Sequence, residues 1–358
     1  MKGNSQNMYY DGTKLLSLKD IDGITPELFL CSSNRSAGKT TYFNRLLVNR
    51  FLKKQAQFCL LYRFNYELDD VANKFFSEIK NLFFNDYEMS SVSCSKGIYH
   101  KLFIKHKSEK EPKLVGFAIA LNNADQLRKY SHYFSKVDAI LFDEFQSESG
   151  HYCDKEMIKF QSIHTTIARG GGKQCRYVPV YLLSNSVSIL NPYYAALGIS
   201  DRLNDKTNFL RGKGFVLEQG FNESASKAQI NSRFNIAFSQ VDNSYLQYAS
   251  QNVYLNDSKA FIEKPQGKSR YIVTLKYNNK EYAIREYLDS GLLYCDNDVD
   301  TTFKYKLALT TNDHDINYLM LKRNELFISN MRFFFDKGCF RFKNLDCKAV
   351  IIKALAYK

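Results

Sequence analysis

The chain has 358 residues, 44% hydrophobic and 24% charged, enough to bury a core in about two domains, which excludes a disordered tail protein and a small disulfide-stapled scaffold. Fifty lysines and arginines stand against 37 acids, a net charge of +13, and such an excess favours a polyanionic partner. The eight cysteines show no CxxC pair and no zinc-ligand spacing with histidine, and no run approaches the eighteen apolar residues of a membrane helix, so a reduced, cytoplasmic chain with no membrane partner is expected.

The first half alternates short apolar runs with helical periodicity, the pattern of an α/β domain. Residues 28–31 read as a short strand ending in the polar loop 32–38. Phe43, Leu46, Leu47 and Phe51 follow at helix spacing, which predicts a helix over 39–54. Residues 57–64 (QFCLLYRF) are a buried strand, and Val71, Phe75, Ile79 and Leu82 mark the next helix. Hairpin strands are expected at 102–105 and 114–120 around the charged loop 106–113. Buried strands follow at 137–142 and 177–183, with a helix at 157–168 between them. Beyond about residue 207 the sequence turns polar and helix-compatible, at 224–238 and 244–255. Strands return at 270–277, 281–286 and 292–295, and a helix closes the chain at about 348–356. The expected organisation is an α/β domain over 1–206, a helical linker over 207–256 and a smaller α+β domain over 257–358.

Two motifs carry chemistry. Ser33-Asn34-Arg35-Ser36-Ala37-Gly38-Lys39-Thr40, continuing into Thr41, has the form of a Walker A loop with Ser33 in place of its first glycine. A strand before and an amphipathic helix after would converge backbone N–H groups on phosphates, with Lys39 on the terminal phosphates and the Thr40 hydroxyl on Mg²⁺. Ala139-Ile140-Leu141-Phe142-Asp143-Glu144 is an apolar strand ending in two carboxylates, the form of a Walker B. There Asp143 would hold the hydrated Mg²⁺ and Glu144 would activate water. A GKT tripeptide in an ordinary loop and a solvated strand end are the plain alternatives. Both motifs in this order on alternating elements favour ATP and Mg²⁺.

Other residues leave more than one reading open. Asn185, or its neighbour Ser184, ends the next strand, as a γ-phosphate sensor or as a strand-to-turn cap. Arg169 precedes Gly170-Gly171-Gly172-Lys173. An arginine finger, a glycine-rich nucleic-acid contact and a cation at a solvated helix end all suit it, and the residues alone favour the last. Basic stretches at 53–54, 101–113, 128–129 and 211–213 are solvated faces or parts of a phosphate track. Asp296-Asn297-Asp298-Val299-Asp300 fails as a calcium loop, because Thr301 and Leu307 replace the required Gly and Glu. An acidic turn is expected there.

Together these residues resemble the DNA-packaging ATPases of phi29-like podoviruses. Phe142-Asp143-Glu144-Phe145 is similar to that family's Walker B. Leu183-Ser184-Asn185-Ser186-Val187-Ser188 with Asn191-Pro192-Tyr193 is similar to its following signature. Residues 10–18 (YDGTKLLSL) and 57–68 also match, as do Phe261-Ile262-Glu263-Lys264, Gly291-Leu292-Leu293-Tyr294 and Leu309-Thr310-Thr311. The resemblance implies a P-loop ATPase domain of the ASCE class with a central, mostly parallel sheet. A helical linker and a vestigial RNase-H-like domain would follow. It further implies a homopentameric ring around double-stranded DNA, docked in the host cytoplasm on the procapsid portal, sometimes through a structural RNA. Arg169 matches the family's trans-acting arginine. Arg128 or Lys129 falls near its second trans-acting basic residue, and the pair are candidate nucleic-acid contacts. Asn65 stands where a DNA-contacting basic residue would, and Gly170 to Gly172 is a longer glycine run than usual. The alternatives are a terminase-type or helicase-like motor with nuclease activity, and a non-hydrolysing portal or nucleic-acid-binding protein with a degenerate P-loop.

Overall fold

The computed structural model describes residues 10–149, 151–169, 174–187, 191–199, 202–203, 208–239, 261–321 and 326–356. Two compact units divide the chain: Met1–Val187 with Thr207–Val253, and Ser188–Lys206 with Tyr254–Lys358. The glycine run 170–172 and the helix-compatible stretch 244–255 lie outside the described residues.

In the first unit a short helix α1 (Thr13–Ser17) precedes β1 (Leu28–Ser33), α2 (Lys39–Lys54), β2 (Gln57–Tyr62) and α3 (Val71–Phe83). Then come β3 (Tyr87–Cys94), β4 (Tyr99–His106), β5 (Lys113–Ala120), α4 (Ala124–Leu127) and a 3-10 helix, Arg128–Phe134. The strands β6 (Val137–Asp143) and β7 (Val180–Asn185) flank α5 (Glu156–Ala168). After α6 (Pro192–Leu197), which belongs to the second unit, come β8 (Phe209–Gly212), β9 (Phe215–Gly220), α7 (Glu223–Ile230) and α8 (Arg233–Ser239).

Nine strands make one sheet in the order β3-β4-β5-β2-β6-β7-β1-β9-β8. Six of them, β5 to β9 in that order, run parallel, with antiparallel strands at each edge. A parallel sheet is covered on both faces, so its strands must be apolar throughout; Phe58, Cys59, Leu60 and Leu61 of β2 are all buried. The apolar stripe of α2 (Phe43, Leu47, Val48, Phe51) seals one face. β7 lies between β1 and β6. The C-terminal ends of these three strands therefore share one edge, where ligands bind open α/β sheets.

Three features depart from expectation, the first being that residues 188–206, expected in the first domain, group with the second unit. Residues 209–212 and 215–220, assigned above to a helical linker, are strands, and β9 pairs in parallel with β1. Their hairpin turns through Lys213 and Gly214, the latter at φ +73°, and the apolar run Phe215-Val216-Leu217 is too short to announce a strand without its partner. The edge strand β3 was also unforeseen, because its residues Ser90, Ser91 and Ser93 are polar and none of its side chains is fully buried.

The second unit holds β10 (Ser269–Tyr277), β11 (Lys280–Tyr287), β12 (Leu292–Asp296), β13 (Lys306–Ala308), β14 (Leu319–Met320), α9 (Leu326–Asp336), β15 (Phe340–Phe342) and α10 (Leu345–Ala356). β10 to β12 form an antiparallel meander, and β13 and β14 add in parallel beside β10. This is a mixed α+β unit, as expected for the C-terminal part. Val273, Ile284, Phe340, Phe342 and Ile351 anchor its core. The acidic turn after β12 is as expected: the buried Asp296 accepts from Arg285 Nε at 3.0 Å and from the Asp298 N–H at 2.9 Å.

Candidate nucleotide site

Parallel register brings the chemistry together. Ser33, the last residue of β1, lies beside Asn185, the last of β7, while Asp143, the last of β6, lies beside Leu183. Gly38 begins α2 in the left-handed region, φ +91°, and no side chain caps the helix. The first-turn N–H groups are thus left for an anion or solvent. Ser36 is also left-handed, φ +61°, which a non-glycine residue adopts only at a cost.

Lys39 is buried, and its ammonium donates to Ser33 Oγ (2.9 Å), the Asn34 carbonyl (3.3 Å) and Asn185 Oδ1 (3.4 Å). Burial holds its pKa below the ordinary lysine value. Ser33, where a glycine would be usual, thus supplies an acceptor to the lysine. Thr40 Oγ1 donates to Asp143 Oδ2 at 2.7 Å, and Asp143 Oδ1 takes the Glu144 N–H at 3.0 Å. Burial pushes the Asp143 carboxyl above its usual range, so a cation beside it is favourable. A hydroxyl and a carboxylate at hydrogen-bond distance are hard oxygen donors that suit Mg²⁺, which takes one or two carboxylates and leaves the rest to phosphate and water. Among the described residues no group of three or more His, Cys, Asp or Glu side chains could hold a metal by itself.

Glu144 is exposed and left-handed, φ +57°. Although the residue as a whole is exposed, partial desolvation of its carboxyl, then the charges of Asp143 and Glu148, raise its pKa. Its backbone is held by Arg63, at the end of β2, which donates to the Glu144 carbonyl (3.3 Å) and the Phe145 carbonyl (2.7 Å). Arg63 is itself buried and ion-paired to the buried Glu156 of α5 at 3.1 Å. Glu148 pairs with Arg35 and accepts from Asn185 Nδ2 at 3.3 Å. The buried Ser184 Oγ has no protein partner among the described residues.

The sequence reading missed Arg63, Glu156 and Glu148; an arginine ending the apolar run QFCLLYRF was the available signal. It also missed the packing behind the loop. Asn34 exchanges hydrogen bonds with the Asn222 backbone (3.0 and 2.9 Å), and Gln229 of α7 donates to Ser36 Oγ at 3.1 Å. Beneath it, Tyr10 donates to Glu218 of β9, and burial pushes the neighbouring Cys31 thiol up to about 12.

A cavity of about 620 Å³ opens here, lined by Ser36 to Thr41, Asp143, Glu144, Ser184 and Asn185 together with side chains of α2 and α3. Arg169, Arg128 and Lys129 do not line it. Arg169 directly follows α5 and is exposed. Arg128 is exposed and donates to Ser162 of the same helix at 3.2 Å, and Lys129 is exposed beside it. Asn65 accepts from Asn123 at 2.8 Å. All eight cysteines are free, and among the described residues no helix is long and apolar enough to cross a membrane.

The profile of a family described as Podovirus DNA encapsidation protein (Gp16) matches residues 4–357. The DNA packaging protein of Bacillus phage phi29 is 25% identical over 358 residues, 99% of this chain and 97% of its own. That of Bacillus phage B103 is 26% identical over 318 residues, covering 87% and 90%. Among solved structures, the Phi-28 gp11 DNA packaging motor aligns with a TM-score of 0.57 at 16% identity, over 98% of both chains. The bacteriophage Phi-29 viral genome packaging motor assembly aligns with a TM-score of 0.53 at 24% identity, again over 98% of both. At these identities the structural likeness speaks for the fold.

Proposed function

The chain belongs to the podovirus DNA encapsidation protein (Gp16) family, and from that premise we propose that it is an ATP-hydrolysing motor that drives double-stranded DNA into a viral procapsid. The observation that carries this reading is the meeting of Thr40 and Asp143 at 2.7 Å beside a buried lysine at the mouth of one cavity. Residues 33–41 cradle the triphosphate with backbone N–H groups, and Lys39 turns from Ser33, Asn34 and Asn185 to the terminal phosphates. Thr40 and Asp143 would hold Mg²⁺, which would supply positive charge to the phosphates during transfer. Glu144 takes a proton from the attacking water or orients it, and Asn185 reads the γ-phosphate.

Arg169, outside its own cavity, acts on the nucleotide of the neighbouring subunit in a homopentameric ring, with Arg128 or Lys129 as the second basic contact to neighbour or DNA. A finger of this kind is worth about 10³–10⁵ in rate, so turnover depends on assembly. The net charge of +13 supports a phosphate-lined path. In this reading the first unit, residues 1–187 with 207–253, is the ATPase domain, and residues 257–358 dock on the portal, directly or through a structural RNA, in the host cytoplasm.

ATP turnover of the isolated chain and of the chain assembled on procapsids with DNA tests the proposal. Low basal turnover, a rise on assembly, and loss of both by at least about 10²-fold in Glu144→Gln are expected. Equal turnover in Glu144→Gln and wild type would refute it.

A further inference from the structure

The phosphate loop uses only part of the cavity. Its remaining wall is built by α2 and α3, where Tyr42 and Arg45 face Leu82 and Phe83. The stripe Val71, Phe75 and Ile79 of α3 is buried, yet Leu82, next in the same periodicity, is 56% exposed and Phe83 is 42% exposed. The apolar face of the helix thus runs out of the core and into the cavity. Arg45 lies with its guanidinium carbon 4.1 Å from the Phe83 ring centroid, a cation–π pair that presents a polarisable surface. One turn nearer the phosphate loop, Thr41 donates to Glu78 at 2.8 Å and joins the two helices. Arg45 is four residues beyond Thr41, about 6 Å along α2, within the span of a nucleoside attached to phosphates at the loop.

Resting on the ATP reading above, we propose that Arg45 and Phe83 form the base platform of this site, holding a purine nucleotide by stacking, with Tyr42 and Leu82 closing the apolar side. Several side chains at this end are engaged within the protein. Thr41 is spent on Glu78, the Arg45 guanidinium lies on Phe83, and Tyr10, which packs edge-on against Tyr42 with centroids 5.5 Å apart, gives its hydroxyl to Glu218. Stacking on this surface scales with the ring area buried, so the larger purine ring is favoured over a pyrimidine.

Equilibrium binding of ATP, CTP and inorganic tripolyphosphate to the full chain, in the presence of Mg²⁺, tests this. Phe83→Ala and Arg45→Ala should each weaken ATP about tenfold, weaken CTP less, and change tripolyphosphate by less than about twofold. Phe83→Tyr should bind ATP as wild type does. Unchanged ATP affinity in both alanine variants would overturn the platform. So would a parallel loss of tripolyphosphate, which would mean a distorted phosphate loop. Wild-type protein that binds tripolyphosphate as tightly as ATP would overturn the platform while leaving the phosphate site standing. Wild-type protein that binds neither would overturn the phosphate site and the platform with it.

Discussion

Lys39 shows how the site stores its affinity. Its ammonium is buried against three neutral acceptors, a hydroxyl, a carbonyl and an amide oxygen, and none of these neutralises it. Desolvation then acts against the charged form, and a polyphosphate relieves the cost. The carboxylates face the opposite problem. Burial raises both Asp143 and Glu144 above the usual carboxylate range. Raised carboxyls hold more protons folded than unfolded, so their contribution to stability is greatest below the usual range and declines as pH rises through the raised values. The proposed reaction runs the other way, because Glu144 would work as a base only when ionised. Turnover should therefore be full above its raised value and fall as pH drops through it. Glu148 is among the charges that raise Glu144, so Glu148→Gln should move the acid limb of kcat to lower pH. A pH–rate profile of the assembled motor whose acid limb stays at the wild-type position would contradict this electrostatic account.

At the scale of elements, the edge that carries the candidate site is held by long-range polar contacts laid over a sheet that forms from local pattern. The apolar runs of β1, β2 and β6 and the stripe of α2 are legible because a parallel sheet demands strands buried on both faces. The two motifs are legible because the chemistry sits at strand ends a fixed distance from those runs. What stays hidden is contact between distant positions: Tyr10 with Glu218, 208 residues apart, and Asn34 with Asn222, 188 apart. The left-handed backbone of Glu144 is hidden for the same reason, since Arg63 reaches it across 81 residues. That arginine ties β2 to the Walker B turn and, through Glu156, to α5. Arg63→Ala would strand a buried carboxylate and should cost about 3–5 kcal/mol, whereas a double variant with Glu156→Leu should recover much of it. Thermal unfolding of the two variants checks this, and an Arg63→Ala protein as stable as wild type would mean that the pair carries no net weight.

At the scale of the whole molecule, the sequence reading found the α/β unit and the mixed C-terminal unit, and it assigned too much helix between them. Residues 209–220 complete the first sheet as β8 and β9, and β9 carries Glu218, which supports the floor of the phosphate loop through Tyr10. A short strand recruited to a sheet edge from far along the chain has no periodicity of its own to betray it. The extent of the first unit was therefore the least legible part of the architecture, and the ends of its central strands the most.

The central claim is that one Mg²⁺ joins the triphosphate to Thr40 of the loop and Asp143 of the neighbouring strand end. ATP affinity measured with and without Mg²⁺ in wild type, Thr40→Val and Asp143→Asn tests it directly. Magnesium should tighten ATP binding in wild type and lose most of that effect in both variants, with metal-free affinity retained. A magnesium effect of wild-type size in both variants would contradict the account.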